Sequence, residues 1–273
     1  ADGYTGEGSW DVNPVGQQVS KDSEKLSYII TFSTKGQYDA SVEFYFDGEL
    51  DEGLTETSKE YFGELFQIAP EPELTHDEKH YALDEVRNNG LLISTDKSKN
   101  VVEVYYALDE NEDGTPDKYQ VTVTFGAVNG TFTETGSTYT ERVYTLKKDG
   151  KLSETGSYEL QSSDIPEAQA ADGYTGEGSW DVNPVGQQVS KDSEKLSYII
   201  TFSTKGQYDA SVEFYFDGEL DEGLTETSKE YFGELFQIAP EPELTHDEKH
   251  YALDEVRNNG LLISTDKSKN VVE

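Results

Sequence analysis

A mainly β fold divided into several small modules is what this sequence predicts, and three observations predict it. Runs of β-branched and aromatic residues alternate with polar ones at the two-residue period of a half-buried strand. They lie at residues 27–32 (SYIITF), 41–46 (SVEFYF), 101–106 (VVEVYY) and 119–125 (YQVTVTF). Dipeptides that favour tight turns punctuate the chain: Asp47-Gly48, Asn89-Gly90, Asn129-Gly130 and Asp149-Gly150,. The chain also repeats itself, residues 171–273 being identical to residues 1–103 at an offset of 170. That period exceeds the roughly 20–50 residues of a solenoid unit and suits one or two independently folding domains per unit. Identity at every one of the 103 positions means the copies have not been shaped for different tasks. One catalytic centre needs one copy; a spacer or a multivalent binder gains from many.

Two polar stretches divide the unit. Residues 33–37 (STKGQ, recurring at 203–207) form a short joint, and residues 108–118 (LDENEDGTPDK) an acidic one. Cutting there places one kind of module at 36–106, an acidic linker at 107–118 and a second kind at 119–204, which crosses the repeat boundary between Ala170 and Ala171. Residues 1–34 then read as the back half of a second-kind module, and 206–273 as a first-kind module without its last strand. The expected arrangement is an elongated tandem string. Helix signals are thin: Thr75 could cap a short turn running to Lys79, although Pro70 and Pro72 upstream favour extended chain,. With no initiator Met, leader or sorting tail, the chain reads as an internal piece of a longer one,.

Charge narrows the function. The chain carries 56 acidic and 21 basic residues, net −35. One 170-residue unit holds 34 against 13. Such a surface repels phosphate backbones and anionic membranes, so neither nucleic acid nor membrane insertion is expected, and it favours solubility and cations. Disorder is argued against by 18 Tyr, 12 Phe and the strand alternation,. Without cysteine there is no disulfide, thiolate metal site or cysteine nucleophile,. No apolar run approaches the ~20 residues of a spanning helix.

The first kind of module carries Val42-Glu43-Phe44-Tyr45-Phe46-Asp47-Gly48, Phe62-Gly63-Glu64, Tyr81-Ala82-Leu83 and Asn100-Val101-Val102-Glu103-Val104-Tyr105-Tyr106. It resembles the MucBP and internalin B-repeat type of bacterial surface module, with His80-Tyr81 where that pattern has Gly-Tyr. The second kind carries Pro116-Asp117-Lys118-Tyr119, Val128-Asn129-Gly130-Thr131-Phe132, Thr145-Leu146-Lys147-Lys148-Asp149-Gly150 and Gly178-Ser179-Trp180-Asp181. It is similar to the SHIRT-like repeats of Gram-positive surface proteins. The resemblances imply small β-grasp-like to β-sandwich modules, an extracellular, wall-attached or secreted location, and a stalk that projects a functional tip. The alternative is an adhesin whose every copy binds a host glycan or protein weakly. Partners would be neighbouring repeats, with self-association into filaments or a host ligand beyond them. An enzyme is not expected.

Candidate chemistry is sparse. Asp109, Asn111, Asp113, the Thr115 carbonyl and Asp117 follow the ligand spacing of the first nine positions of an EF-hand loop, with Gly114 at the sharp turn,. Ca²⁺ is the cofactor this spacing points to. Position twelve is Gln120 instead of a bidentate Glu, and an acidic solvated linker is the plainer reading. Its five carboxylates should then repel one another and keep the linker extended. His76 and His80 have zinc-site spacing on a helix, but Asp77 follows His76 where a zinc protease needs Glu, and exposed loop histidines read better,. Trp10 and Trp180 could stack on a sugar, or plug the end of a small core. Asp47, Glu49, Asp51 and Glu52 read as a solvated hairpin tip.

Overall fold

The computed structural model describes residues 2–21, 23 and 27–273. Of the expected half-module 1–34, residues 1, 22 and 24–26 therefore lie outside the described residues. The protein is mainly β, with strands of two to thirteen residues in several small sheets and, among the described residues, only single-turn helical segments such as Lys97–Lys99. It forms two compact units, residues 1–120 with 145–156 and residues 121–144 with 157–273.

The first unit is organised by a five-stranded sheet in the order Glu49–Tyr61, Gln37–Phe46, Val101–Leu108, Lys79–Arg87, Glu73–His76. Asp47 and Gly48 turn the first hairpin with φ of 49° and 89°, the left-handed pair such a turn requires,. The last strand in sequence then inserts into the middle. Val101–Leu108 runs parallel to Gln37–Phe46, pairing Val102 with Val42 and Tyr106 with Phe46, and antiparallel to Lys79–Arg87. Its alternation decides the faces. Val102, Val104 and Tyr106 are buried, the last two with Val42, Phe46 and Tyr81. Tyr105 points the other way and stacks on Tyr45 at 4.6 Å, with the Arg87 guanidinium over its ring at 4.3 Å. Buried Asn100 sets where this strand begins: its amide nitrogen donates to the Asp39 and Ser94 carbonyls, and its oxygen accepts from Ser94 N–H.

The turn expected after Thr75 is a β-hairpin. Asp77 and Glu78 adopt φ of 47° and 64° between Glu73–His76 and Lys79–Arg87. Two consecutive left-handed residues outside Asn-Gly or Asp-Gly leave no ordinary turn signature. Conversely, Asn89-Gly90 and Asn129-Gly130 do not join paired strands. Leu91–Leu92 pairs with Leu65–Phe66, and Gly130–Phe132 with Ala168–Ala170.

The second unit holds a four-stranded sheet in the order Tyr139–Thr145, Gln120–Val128, Ser197–Thr201, Ser179–Trp180. Ser197–Thr201 lies parallel to Gln120–Val128, Phe125 opposite Tyr198 and Ala127 opposite Ile200. Phe125, Phe132, Leu160, Val189, Tyr198, Ile200 and Phe202 are buried. Val189, Tyr198, Ile200 and Phe202 recur one repeat earlier as Val19, Tyr28, Ile30 and Phe32, which are less buried. Val19 is 67% exposed against 0% for Val189, and Ile30 39% against 8% for Ile200. The strand itself shortens from Ser197–Thr201 to Ile30–Thr31.

Identical sequence with different pairing predicts different local stability. Amide exchange at Ile30 and Thr31 should outpace that at Ile200 and Thr201 by at least about a hundredfold. Equal protection, read by hydrogen exchange with mass spectrometry, would contradict the pairing described.

Candidate functional site: the acidic loop and the module joint

The acidic segment is expected to be extended without a cation; the structure shows a closed loop instead. Backbone and amide donors answer the carboxylates. Asp109, 1% exposed, accepts from Asp113 N–H at 3.3 Å and Gly114 N–H at 2.9 Å. Gly114 makes this possible with φ of +81°, and a Cβ there would lie 2.6 Å from Glu73 Oε1,. Asn111 Oδ1 accepts from Asp113 N–H. Asp113 Oδ1 accepts from Thr115 N–H, and Asp117 from Glu110 N–H at 3.1 Å. Gln120, at the twelfth position, closes the loop. Its Nε2 donates to both Asp113 oxygens at 2.9 and 2.7 Å, while its Oε1 accepts from Asn111 Nδ2 at 2.9 Å.

Of the five predicted ligands, the structure therefore brings Asp109, Asn111 and Asp113 together. Thr115 joins them through its N–H, and Asp117 is held to Glu110. Among the described residues, no group of three or more His, Asp or Glu side chains is placed to hold a metal ion. A cation taking both Asp113 oxygens would have to displace the Gln120 amide.

The loop is also tied to the sheet beside it. Asp84 receives Lys118 Nζ at 2.5 Å and Tyr119 OH at 2.6 Å, and Glu112 lies 3.1 Å from His80 Nε2. Burial alone would push the Lys118 ammonium down, but the Asp84 hydrogen bond and charge outweigh it, so its pKa is raised,. Burial, then the same acceptor, raises Tyr119 as well. Asp84 is invisible as a site residue in sequence, because only the hairpin geometry brings it to residues 34 and 35 positions away.

The histidines do not form a pair. Their hairpin places His76 opposite Lys79 and His80 opposite Thr75, so the helical spacing never arises. His76 stacks on Phe46 at 4.0 Å with Nε2 3.1 Å from Asp51 Oδ2. Asp51 is thereby part of the sheet's hydrogen-bonded end, while Glu49 and Glu52 are exposed. Trp180 sits edge-on to Phe125 at 6.0 Å, half-buried; Trp10 is 45% exposed.

The joint at 33–37 is built as structure too. Tyr4 and Thr5 pair with Lys35 and Thr34. Gly36 N–H donates to Gly3 O at 3.0 Å, and Phe62 N–H donates to Gly36 O at 2.9 Å. Tyr4 and Tyr38 both meet the Phe62 ring edge-on. The second copy repeats every contact. Gly206 N–H donates to Gly173 O and Phe232 N–H to Gly206 O, both at 2.9 Å, and Tyr174 and Tyr208 flank Phe232. A Cβ on Gly3 or Gly173 would fall 2.3 or 2.5 Å from the Phe ring, so only glycine fits.

No protein-family model matches this chain, and no curated protein is significantly similar to it in sequence. Among the described residues no helix is long and apolar enough to cross a membrane.

Asp84→Ala removes the acceptor for both Lys118 and Tyr119. Leaving two partly buried donors unpaired should cost about 1–3 kcal/mol and speed limited proteolysis between Leu108 and Lys118. Unchanged cleavage would show that the Gln120 network alone holds the loop.

Proposed function

We propose that this chain is an extracellular spacer, a stalk whose repeated modules hold a functional tip away from a cell surface. The observation that supports it best is the joint. Two neighbouring elements meet through backbone hydrogen bonds, a glycine admitting a phenylalanine ring, and two flanking tyrosines, and the same construction appears in both copies. A spacer needs stiff, repeated joints; a binder needs a recurring cleft. The resemblance to bacterial surface modules, the acidity and the tandem identity point the same way. Adhesion to a host glycan or protein is the alternative.

The chain has no cysteine, so spin labels on cysteines introduced at Gln187 and Lys229 report on one joint alone. The expected distance distribution is single and narrow, and broadens in Gly173→Val, where φ of +93° and the Phe232 ring both oppose a side chain. A broad distribution in the unmodified joint, or saturable binding of the chain to a glycan panel, would favour the adhesive reading.

Calcium in the acidic loop is a second proposal, supported by the buried Asp109 carboxylate and its hold on Gly114 N–H. Asp109, Asn111, Asp113, the Thr115 carbonyl and Asp117 would hold the ion, which supplies cross-linking charge and no chemistry. With Gln120 to displace, affinity should fall in the ~10⁻⁴–10⁻³ M range of extracellular modules. Millimolar calcium should then release heat and slow cleavage in the wild type but not in Asp113→Ala. Identical titrations would leave the loop as a self-closed polar clasp.

A further inference from the structure

The four-stranded sheet of the second unit buries one face and leaves the other open. Phe125, Tyr144, Tyr198 and Ile200 are buried on the inner side. The strands Tyr139–Thr145, Gln120–Val128 and Ser197–Thr201 turn Tyr139, Val143, Val128 and Ile199 the other way, where they are 60%, 44%, 45% and 40% exposed. Among the described residues that these three strands turn outward, only Glu141 is charged, in a chain whose residues are 28% charged. Threonine, serine and one glycine fill the remaining outward positions.

That glycine, Gly126, lies in the middle of the open face. Ile199 stands opposite it in the ladder on one side. On the other, Ala127 N–H donates to Thr138 O at 2.7 Å, which sets Tyr139 beside it. A glycine inside a strand weakens it, and it is usually there for a bulge, a positive φ or a close approach. The chain itself supplies none of these reasons. The φ of Gly126 is not positive, and the ladder with Ser197–Thr201 passes through it without a register shift. A Cβ would meet only Ile199 Cγ1, at 3.7 Å, an ordinary contact. With nothing else within 4 Å, the Tyr139 ring does not fold over the glycine to cover it. What results is a trough floored by bare backbone, walled by Tyr139 and Ile199.

We propose that this face is the contact of a two-fold dimer, in which Tyr139 of each chain seats in the Gly126 trough of a second copy. Ring and trough lie on one face in neighbouring strands, so a single two-fold axis fills both troughs at once, as a self-complementary contact requires. Val128, Val143 and Ile199 would surround the seated rings and exclude water from them. Charge selects this surface over the others. Two chains of net −35 repel wherever acidic surfaces meet, and here each brings only Glu141,. The sheets would meet face to face, so every strand keeps the partners it has. Such a dimer neither rests on the spacer reading nor opposes it.

The test is sedimentation equilibrium on the 273-residue chain, with the thermal midpoint of each variant read by circular dichroism. A monomer–dimer equilibrium is expected, tightening as salt rises from about 0.1 to about 0.5 M because the net repulsion is screened. Tyr139→Ala and Gly126→Ala should each weaken the dimer at least about tenfold, the loss expected of a central aromatic anchor. Gly126→Ala should keep or raise the thermal midpoint, since its methyl meets only an ordinary contact. The double variant should dimerise no more weakly than Tyr139→Ala alone, because the methyl then blocks nothing. A chain still monomeric at about 0.1 mM, including one that binds a neutral glycan on this face instead, would overturn the proposal. Self-association that ignores both substitutions would overturn it too. So would a lowered midpoint in Gly126→Ala, which would make the glycine a requirement of the fold.

Discussion

Both of the larger sheets depend on a strand from late in the sequence inserting, in parallel, beside an early one. Val101–Leu108 does this against Gln37–Phe46, and Ser197–Thr201 against Gln120–Val128. A parallel neighbour cannot come from a tight hairpin, so each insertion closes a long loop, at an entropic cost recovered only when the whole face is buried. The repeat exposes the effect of a shorter partner strand. In the second copy, Gln207–Val212 pairs with Val271–Val272, whereas Gln37–Phe46 pairs with six residues of Val101–Leu108. Tyr81, 6% exposed, and Ala82, fully buried, correspond to a half-buried Tyr251 and an exposed Ala252. The counterpart of Lys79–Arg87 shortens to Lys249–Ala252. Local sequence is identical in both copies, so strand length and burial here are set by a tertiary partner and not by propensity.

That dependence explains how much is legible in the sequence. The long strands are, because Val101–Leu108 and Gln120–Val128 largely alternate, with a break at Tyr106-Ala107 and at Gln120-Val121, and lie inside their sheets, where one face must be apolar. Asp47-Gly48 and Asp149-Gly150 announce their hairpins because only such dipeptides readily place two successive residues at positive φ. The Asp77-Glu78 hairpin does not, since its φ values are imposed by the pairing of Thr75 with His80 and of Leu74 with Tyr81. The candidate site is legible as a set of oxygen-bearing residues and not as an arrangement. Its spacing points to Asp109, Asn111 and Asp113, which do converge. The parts that close it carry no such signal: Gln120 reads as a missing ligand, and Asp84 as an ordinary strand residue.

The acidic loop also corrects a simple electrostatic expectation. Five carboxylates within nine residues repel one another by about 1 kcal/mol per close pair in water, enough to favour extension if nothing answers them. Here, short turns aim backbone N–H groups at Asp109, Asp113 and Asp117, and one amide side chain spans Asp113 and Asn111. Hydrogen bonds to charged acceptors stabilise by roughly 1.5–3 kcal/mol each, so a handful of them outweighs the repulsion. The glycine at 114 and the left-handed Glu112 permit the turns; the Lys118 charge at Asp84 anchors the exit. Net charge thus predicts the sign of the surface but not the shape of this acidic segment.

A spacer of the kind proposed would need stiff joints. At residues 33–37 the chain passes from one sheet to the next with its backbone paired on both sides, and Gly36 both donates to Gly3 and accepts from Phe62. Bending there would break two ladders and uncover an aromatic ring held by two tyrosines. A joint of polar residues therefore behaves as a small piece of sheet. Its glycines are needed for close approach, Gly3 and Gly173 lying where any side chain would displace the phenylalanine. A segment that reads as a short polar joint in sequence is, in three dimensions, backbone paired with residues on both sides.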